Sequence, residues 1–389
     1  MVDNNFGKVK IKIIGVGGGG NNTINSMIQE GITGVDFVAV NTDKQALDMS
    51  LAETKLNIGK ESQGLGAGAN PGMGKKYAIE SEDTIRNMLD GAHMAIIAAG
   101  MGGGTGTGAS PIISKIAKEL GILTIGIVTT PFTFEGSKRA ENARKGIAEI
   151  KNHVDSMVVV SNDKLLKQFG GVSLKDSFLY ADKVLKQAAR TISDLITIPS
   201  MINLDFADVV TVMKNKGSAI IGIGRASGKD RAVKAAVHAI SSPILTRTID
   251  GAKDAIVNIS GGDLTLDEAN KVVETIQASA GNDINIIFGV SMLSELNDEI
   301  QVSVIATGID ELDKEFGHEE IKESVSNSLL NLDIEFDDEK TKEFLIENPL
   351  PEEEKMHITE EVELQGITPI TSVPDDEDET DELPDFLRD

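Results

Sequence analysis

The sequence predicts an α/β fold in which a Rossmann-like parallel-sheet domain is joined by a long central helix to a smaller α/β domain. Short apolar segments alternate with helical periodicity between residues 9 and 160, which is typical of a parallel sheet covered on both faces. Residues 174–196 form one long amphipathic pattern. Glycine clusters follow two of the apolar segments directly.

The first half of the chain alternates strands with helices. Strands are predicted at residues 9–15, 35–40, 94–99, 122–128 and 157–160. Helices are predicted at residues 21–29, 75–89, 109–120 and 135–153. In such a sheet, ligands bind at the carboxyl ends of the strands. The glycine clusters at two of those ends therefore mark the expected site.

The second half begins with the long helix, whose predicted core positions are Leu179, Val184, Ala188, Ile192 and Leu195. A loop of sequence NLDFAD and a further helix follow. Four strands are predicted at residues 218–224, 255–259, 285–288 and 301–306, with helices at residues 230–240 and 266–278. These segments form the smaller α/β unit.

The acidity of the chain is concentrated in its last part. The net charge is -25, but residues 311–389 hold 28 acidic and 6 basic side chains, so the other 310 residues are close to neutral. A nearly neutral body offers no broad basic face to nucleic acid. An acidic segment with few apolar residues cannot bury enough surface to fold, so we expect a disordered linker at residues 311–380.

Some classes of site are excluded by composition. The chain has no cysteine, so it has no disulfides and no thiolate metal site. Its five histidines form no closely spaced set, so we assign no metal site. Neither a signal peptide nor an apolar stretch of about 18 residues is present, so we expect a soluble, cytoplasmic protein without membrane insertion.

The strongest local pattern lies between a predicted strand and a helix. It consists of Gly102, Gly103, Gly104, Thr105, Gly106, Thr107 and Gly108. Glycine amides can approach phosphate oxygens closely, the helix start adds unpaired N–H groups, and the two threonines add hydroxyl donors. A simple tight turn needs only one or two glycines. The pattern therefore predicts a phosphate-binding loop.

A second glycine cluster, GVGGGGNN at residues 15–22, also follows a strand. It contains G-x-G-x-x-G, so a dinucleotide-binding fold with Asp43 as the ribose-binding acid is an alternative. A purely structural turn is another. A single triphosphate bound between the two glycine clusters would account for both of them, whereas a dinucleotide-binding fold leaves the cluster at residues 102–108 without a role. A third glycine-rich loop, GLGAGANPGMG at residues 64–74, is either part of the site or a flexible connection.

Cations for a triphosphate must come from elsewhere. No Walker P-loop motif G-x-x-x-x-G-K-[ST] occurs in the chain, and residues 94–114 contain no lysine or arginine. Mg²⁺ prefers phosphate oxygens and water to a cage of protein ligands. We therefore expect Mg²⁺ bound through the nucleotide phosphates, with main-chain amides as the principal protein donors.

Several ordered motifs resemble the tubulin/FtsZ superfamily, in the form typical of FtsZ. They are GVGGGGNN at residue 15, GLGAGANP at residue 64, GGGTGTG at residue 102, PFTFEGSKR at residue 131 and NLDFADV at residue 203. The resemblance covers about residues 9–308, and the last residues resemble the FtsZ carboxy-terminal peptide. It implies a GTPase that polymerises at the mid-cell division site.

The resemblance implies which residues bind GTP or GDP. The phosphate-binding residues would be Gly18, Gly19, Gly20, Asn21, Asn22, Gly68, Ala69 and the 102–108 loop. Glu135 would bind the ribose and Arg139 would reach the nucleotide, although a surface ion pair also explains their i,i+4 spacing. Asn162, Phe178 and Asp182 would recognise guanine by stacking and by hydrogen bonds, although Phe178 alone would more often be a core residue.

The resemblance also implies a catalytic loop. Asn203, Asp205 and Asp208 would face the nucleotide of the neighbouring subunit and position a water molecule against its γ-phosphate. A helix N-cap with an acidic first turn is the alternative explanation of the two aspartates. Hydrolysis would then occur between subunits, and the head-to-tail contact would generate open filaments.

The resulting domain division has five parts. They are the GTP-binding domain at 1–173, the central helix at 174–200, the C-terminal domain at 201–310, the acidic linker at 311–380 and a partner-binding peptide at 381–389. Membrane-tethering and regulatory division proteins would bind the peptide through Leu383, Pro384, Phe386, Leu387 and Arg388. The alternative interpretation of these residues is a frayed terminus without a binding role. A nucleotide-binding filament or regulator without turnover and a dinucleotide-dependent oxidoreductase are the competing hypotheses.

Overall fold

A computed structural model describes residues 9–169, 174–197, 200–202, 204–241, 248–281 and 283–309. The strands are β1 Ile11–Val16, β2 Asp36–Asn41, β3 Thr54–Asn57, β4 Met94–Gly100, β5 Leu123–Thr130, β6 Ser156–Ser161, β7 Gly217–Ser227, β8 Asp254–Gly261, β9 Asn285–Met292 and β10 Glu299–Thr307. The α-helices are α1 Gly17–Gln29, α2 Lys44–Asp48, α3 Pro71–Glu80, α4 Glu82–Leu89, α5 Thr105–Glu119, α6 Ser137–Lys151, α7 Asn162–Phe169, α8 Leu174–Thr197, α9 Phe206–Met213, α10 Arg231–Ile240 and α11 Leu266–Ala280.

The strands form one ten-stranded sheet in the order β3-β2-β1-β4-β5-β6-β7-β10-β8-β9. Strands β1 to β6 are parallel, whereas β10 is antiparallel to both β7 and β8. The two halves of the sheet meet where β6 pairs with β7, through Ser156 with Gly217 and Met157 with Ser218. The strand order reverses between β1 and β4, which is where a doubly wound sheet forms its binding crevice. The predicted fold class is confirmed.

Helix α8 packs along one face of the sheet. Its residues Val184, Ala188 and Ile192 are fully buried in a cluster with apolar side chains of β1, β4 and β5. The opposite face of these strands is covered by α5 and its neighbours, and α10 and α11 cover the strands of the second unit. The prediction that Leu179 is a core residue is wrong, because 42% of it is exposed. Leu179 lies two residues from each of the buried residues Ser177 and Ala181, so it is on the opposite face of α8.

Four predicted helix boundaries are also wrong, and one of them is the start of α5, which begins at Thr105 rather than at residue 109. Helix α1 begins at Gly17 rather than at Asn21, and its first residues pack closely, Gly17 against Gly106 and Gly20 against Ala98. The helix predicted at residues 75–89 is two helices that meet at Ser81. Asn70 caps the first of them, and Pro71 occupies its first position. Helix α6 begins at Ser137, after a 3₁₀ turn at Thr133–Glu135.

The elements β3, α2 and α7 were not predicted, because each is short, with four, five and eight residues respectively. The predicted linker at residues 311–380, the peptide at 381–389 and the loop at 170–173 lie outside the described residues. Among the described helices, none is both long and apolar enough to cross a bilayer. The proposed domain boundaries remain predictions.

Candidate functional site

The first two glycine clusters meet at the crevice between β1 and β4. Helix α1 starts directly after β1, and α5 starts at Thr105, five residues after β4 ends at Gly100. A Cβ atom on Gly17 would lie 2.8 Å from the Gly106 amide nitrogen, and one on Gly20 would lie 2.3 Å from the Ala98 carbonyl oxygen. A Cβ on Gly106 would lie 2.6 Å from the Gly100 oxygen. These glycines are therefore required for the two loops to pack against each other.

At Gly18 and Gly103, neither packing within the protein nor backbone conformation requires a glycine. A Cβ atom on either residue would find no protein atom within 4 Å. Neither residue has a positive φ, so neither needs glycine for its backbone conformation. The space beside them is open at the starts of α1 and α5, where unpaired N–H groups and the helix dipoles favour an anion. This arrangement fits the close approach of phosphate groups.

The threonines of the second cluster brace the loop. The Thr107 hydroxyl accepts a hydrogen bond of 2.8 Å from the Gly102 amide, and Gly102 adopts a left-handed φ of 111°. The hydroxyl oxygens of Thr105 and Thr42 lie 2.6 Å apart. Both threonine side chains, predicted as donors to the ligand, are therefore engaged within the protein. Gly104 and Gly108 pack against the third loop, since Cβ atoms there would lie 2.8 Å from Ala67 Cβ and 2.0 Å from the Pro71 oxygen.

The third glycine-rich loop lies against the second and holds an unusual backbone conformation. Gly68 and Ala69 both have positive φ values, 58° and 55°. Alanine in this region costs about 1–2 kcal/mol, because its Cβ approaches the following carbonyl oxygen. Both residues are exposed, and Asn70 begins α3 by accepting a hydrogen bond of 2.9 Å from Gly72. A strained, exposed tip beside the crevice supports its inclusion in the binding loops.

Asn21 carries a donor that the described structure leaves unpaired. The residue is 3% exposed, and its Nδ2 atom has no hydrogen-bond partner. Its Oδ1 atom accepts a hydrogen bond of 3.2 Å from Asn41 Nδ2. Neither Asn41 nor Thr42 was predicted as a site residue. The polar run Asn41-Thr42-Asp43 at the carboxyl end of β2 is the signal that identifies them.

Phe178 and Asp182 lie one turn apart on α8, beside the loop that follows β5. The Phe178 ring is 42% exposed and contacts Phe132 edge-on, with centroids 5.1 Å apart. Phe134, also exposed, stacks on Phe132 at 5.0 Å. The core interpretation of Phe178 is therefore wrong. An open aromatic face of this kind can stack on a planar base.

Asp182 and Asn162 supply polar atoms beside this aromatic cluster. Burial raises the pKa of the Asp182 carboxyl to about 6, while Lys186 acts to lower it. Asn162 is 5% exposed at the start of α7, and its Oδ1 atom has no partner in the described structure. Asn21 and Asn162 thus both hold buried polar atoms that await a hydrogen bond, which indicates a polar ligand.

Glu135 and Arg139 form an ion pair at the edge of the aromatic cluster. Glu135 also accepts a hydrogen bond of 2.9 Å from the Phe132 amide, so its carboxylate is fixed to the 3₁₀ turn. The predicted i,i+4 contact exists, although Glu135 precedes α6 rather than belonging to it. With 13% of its side chain exposed, against 50% for Arg139, Glu135 is the more buried partner.

Asp205 and Asp208 cap the start of α9 reciprocally. Asp208 N donates to Asp205 Oδ1 at 2.9 Å, and Asp205 N donates to Asp208 Oδ2 at 3.0 Å. The N-cap interpretation is therefore confirmed, yet each carboxylate uses only one oxygen in the cap. Thr265 and Glu268 form the same kind of cap on α11. Asn203 lies outside the described residues.

The described part of the acidic loop (the loop is residues 203–208, of which 204–208 are described) lies at the opposite end of the strands from the glycine loops. The Phe206 ring contacts the His93 ring edge-on at 6.3 Å, and His93 directly precedes β4. The 102–108 loop follows the other end of that strand, Met94–Gly100. At about 3.3 Å per residue, the two ends of β4 are about 20 Å apart. Within one molecule, therefore, the aspartates do not reach a ligand at the glycine loops.

Two glycine loops and two helix starts at the crevice of a doubly wound sheet define a nucleotide-binding α/β protein. The profile of the Tubulin/FtsZ family GTPase domain matches residues 10–170, and that of the FtsZ family C-terminal domain matches residues 217–310. The chain is 54% identical to the cell division protein FtsZ of Mycoplasmopsis pulmonis over 379 residues, which are 97% of this chain and 96% of that protein.

Solved structures agree with this assignment. An empty FtsZ dimer from M. jannaschii is 42% identical, with a TM-score of 0.74 over 78% of this chain and 89% of that one. The chain therefore belongs to the FtsZ family of GTP-dependent, filament-forming cell-division proteins. CetZ2 from Haloferax volcanii, solved as a GTPγS-bound protofilament, shares the fold at 19% identity, with a TM-score of 0.66 over 84% of this chain and 100% of that one. Family membership decides against the oxidoreductase hypothesis.

Proposed function

We propose that this chain hydrolyses GTP at a site that two copies complete, one supplying the glycine loops and the other the acidic loop. The observation that carries the proposal is the distance between these two sets of residues. They lie at opposite ends of the strands of the same sheet, about 20 Å apart along β4. A head-to-tail contact brings the acidic loop of one copy to the glycine loops of the next, and repetition of that contact produces an open filament.

The first half of the site would hold the phosphates. Residues Gly18 to Asn22 and Gly103 to Thr107 would supply donors to the phosphates, since the Gly102 and Gly108 amides already donate within the loop. The open positions at Gly18 and Gly103 would admit the phosphate oxygens, and Gly68 and Ala69 would lie beside them. Residues 94–114 contain no lysine or arginine. Mg²⁺, bound by phosphate oxygens and water, would supply the missing positive charge.

The same half would recognise guanine and ribose. The exposed Phe178 ring would stack on the base, and Asp182 would accept hydrogen bonds from the guanine N1–H and 2-amino groups, which adenine lacks. Asn162 would use its unpaired Oδ1 atom at the base edge. Glu135 would bind the ribose hydroxyls, and Arg139 would leave its ion pair to reach the nucleotide.

The second half would position the attacking water. Asp205 and Asp208 are held by their reciprocal cap, which leaves one oxygen on each carboxylate free to accept from water. Asn203 would add a side-chain amide. Phosphoryl transfer depends mainly on positioning and charge stabilisation, so a rigid pair of acceptors brought by a neighbour is sufficient for this role.

A mixing experiment tests the shared site. Asp208→Asn removes the charge but keeps a cap acceptor, and Gly103→Asp places a negative charge in the open phosphate position. Each variant alone should lose nearly all GTPase activity in the presence of GTP and Mg²⁺. An equimolar mixture should regain a substantial fraction, because an intact pocket then meets an intact acidic loop. Failure of the mixture to regain activity, with both variants folded by thermal melting, would refute the shared site.

We propose that the carboxy-terminal peptide connects the filament to tethering and regulatory division proteins at mid-cell, in the cytoplasm. Leu383, Phe386 and Leu387 would provide apolar anchors, with Pro384 and Arg388 beside them. The acidic residues before them repel one another, which favours an extended tether. This role rests on the sequence pattern and the family resemblance.

A further inference from the structure

We infer that Asn41, at the end of β2, is a positioning residue that turns the Asn21 amide so that its N–H₂ group faces the nucleotide phosphates. The inference rests on the proposed function of the glycine loops, and it gives a role in that site to a side chain from a third strand. Asn41 is 3% exposed, as is Asn21.

The orientation of the Asn41 side chain is fixed by its own backbone. Its Oδ1 atom accepts a hydrogen bond of 2.9 Å from the Thr42 amide and lies 3.3 Å from the Asp43 amide. Only the oxygen of the side-chain amide can accept from these N–H groups. The Nδ2 atom of Asn41 must therefore point the other way, and there it donates to Asn21 Oδ1 at 3.2 Å.

This contact determines which end of Asn21 remains available. Its oxygen is occupied by Asn41, so its nitrogen, which has no partner among the described residues, is left for a ligand. Asn21 lies in the first turns of α1, next to Gly20 and three residues after the open Gly18. A buried amide nitrogen can only donate, so the group it awaits is an acceptor such as a phosphate oxygen.

The end of β2 is also tied to the second glycine loop. The hydroxyl of Thr42, the residue after Asn41, lies 2.6 Å from that of Thr105 at the start of α5. Asn41 therefore has a fixed position relative to both phosphate-binding loops. Through the contacts of Asn41 with Asn21 and of Thr42 with Thr105, the ends of β1, β2 and β4 then contribute to one anion site.

An isosteric substitution separates this role from simple packing. In Asn41→Asp, the second side-chain oxygen replaces Nδ2 and can only accept. Asn21 would then turn its own N–H₂ group toward residue 41 and present its oxygen to the phosphates. Shape is retained, but the direction of the hydrogen bond is reversed. The affinity of Asn41→Asp should therefore fall for ligands that carry phosphates and stay nearly unchanged for a nucleoside without phosphates.

The test is a double-mutant cycle on the full-length protein, with Asn41→Asp, Asn21→Ala and the double variant. Affinities for GDP and for guanosine are measured by titration calorimetry. Asn41→Asp should weaken GDP binding about 10- to 100-fold but leave guanosine binding within about 2-fold. In the Asn21→Ala background, the same change should weaken GDP binding less than about 3-fold. The KM for GTP should rise, with kcat retained within several-fold.

The matched control is Asn57→Asp on β3. Asn57 Nδ2 donates to the Asn41 backbone oxygen at 3.3 Å, so this variant adds the same charge nearby without touching Asn21. It should change GDP affinity less than about 2-fold. An equal loss for Asn41→Asp in both backgrounds, or an equal loss for guanosine, would overturn the inference. A wild-type chain that binds no guanine nucleotide would instead overturn the proposed function.

Discussion

The role proposed for Asp182 in guanine recognition has a consequence for the stability of the empty protein. Burial raises the pKa of its carboxyl from 3.8 to about 6, and Lys186 offsets only part of that effect. A difference of about two pH units corresponds to about 3 kcal/mol between folded and unfolded states. Because the folded protein holds this proton more tightly, the free energy of unfolding decreases as pH rises from about 4 to about 6. The ionised carboxylate therefore destabilises the empty fold at neutral pH.

We expect Asp182→Asn to stabilise the nucleotide-free protein at pH 7.5 by up to about 3 kcal/mol, and to leave its stability at pH 4 nearly unchanged. The same change removes a charged acceptor for guanine, worth about 1.5–3 kcal/mol, so GTP affinity should fall about 10- to 150-fold. Affinity for xanthosine triphosphate should improve, because its carbonyl at position 2 accepts from the new amide.

Urea unfolding at the two pH values and titration calorimetry measure these effects. Wild-type affinity for GTP should decline below about pH 6 as Asp182 becomes protonated, whereas the variant should lack that component. Asp194→Asn is the matched control, because burial also raises the pKa of Asp194 but its carboxylate pairs with Arg190 at 3.2 Å. A variant at Asp182 that is less stable at pH 7.5, or that binds GTP as tightly as the wild type, would refute this reasoning.

Two further predictions concern the glycine loops and the tail. Gly18→Ala should leave the melting temperature unchanged or slightly raised and weaken GTP binding at least about 10-fold, because its Cβ enters open space. Gly20→Ala should lower the free energy of unfolding by about 1–3 kcal/mol, because its Cβ would lie 2.3 Å from the Ala98 oxygen. Normal GTP binding by Gly18→Ala would contradict the assignment of Gly18 to the phosphate site. Deletion of residues 380–389 should abolish binding of tethering proteins in pull-down assays and retain GTPase activity and GTP-induced light scattering, and loss of polymerisation would count against a docking role.

The strands and the long helix were predictable because their apolar residues are arranged by burial alone. Runs such as those of β1 and β4 are buried on both faces, which is the condition that produces continuous apolar segments. The long helix was predicted almost to its ends, because one face of α8 packs on the sheet along most of its length. The order of the motifs was sufficient to indicate the family.

Other features depend on tertiary contacts that the sequence does not display. Helix α1 begins within four glycines, which are poor helix formers, and the sequence does not display the close packing of Gly17 against Gly106 and of Gly20 against Ala98 of β4. The role of Asn41 depends on a contact with Asn21, twenty residues earlier, and on the pairing of β1 with β2. The Thr107 hydroxyl closes its own loop through Gly102, which no spacing rule predicts.

The capping and family interpretations of the aspartates are compatible, and the structure shows why both fit the sequence. A carboxylate that caps a helix through one oxygen keeps the other for a second partner, so the same spacing serves both purposes. Spacing alone could not indicate that these residues lie across the sheet from the glycine loops.

The pairing of β6 with β7 is the shortest among the described strand pairs. The sheet is continuous, yet this junction contains two residue pairs, whereas β7 and β10 share nine. Flexing the sheet here disturbs fewer main-chain hydrogen bonds than flexing it at any other described strand pair. We therefore expect a filament built from such subunits to yield to a bending force within each subunit as well as at the contacts between them.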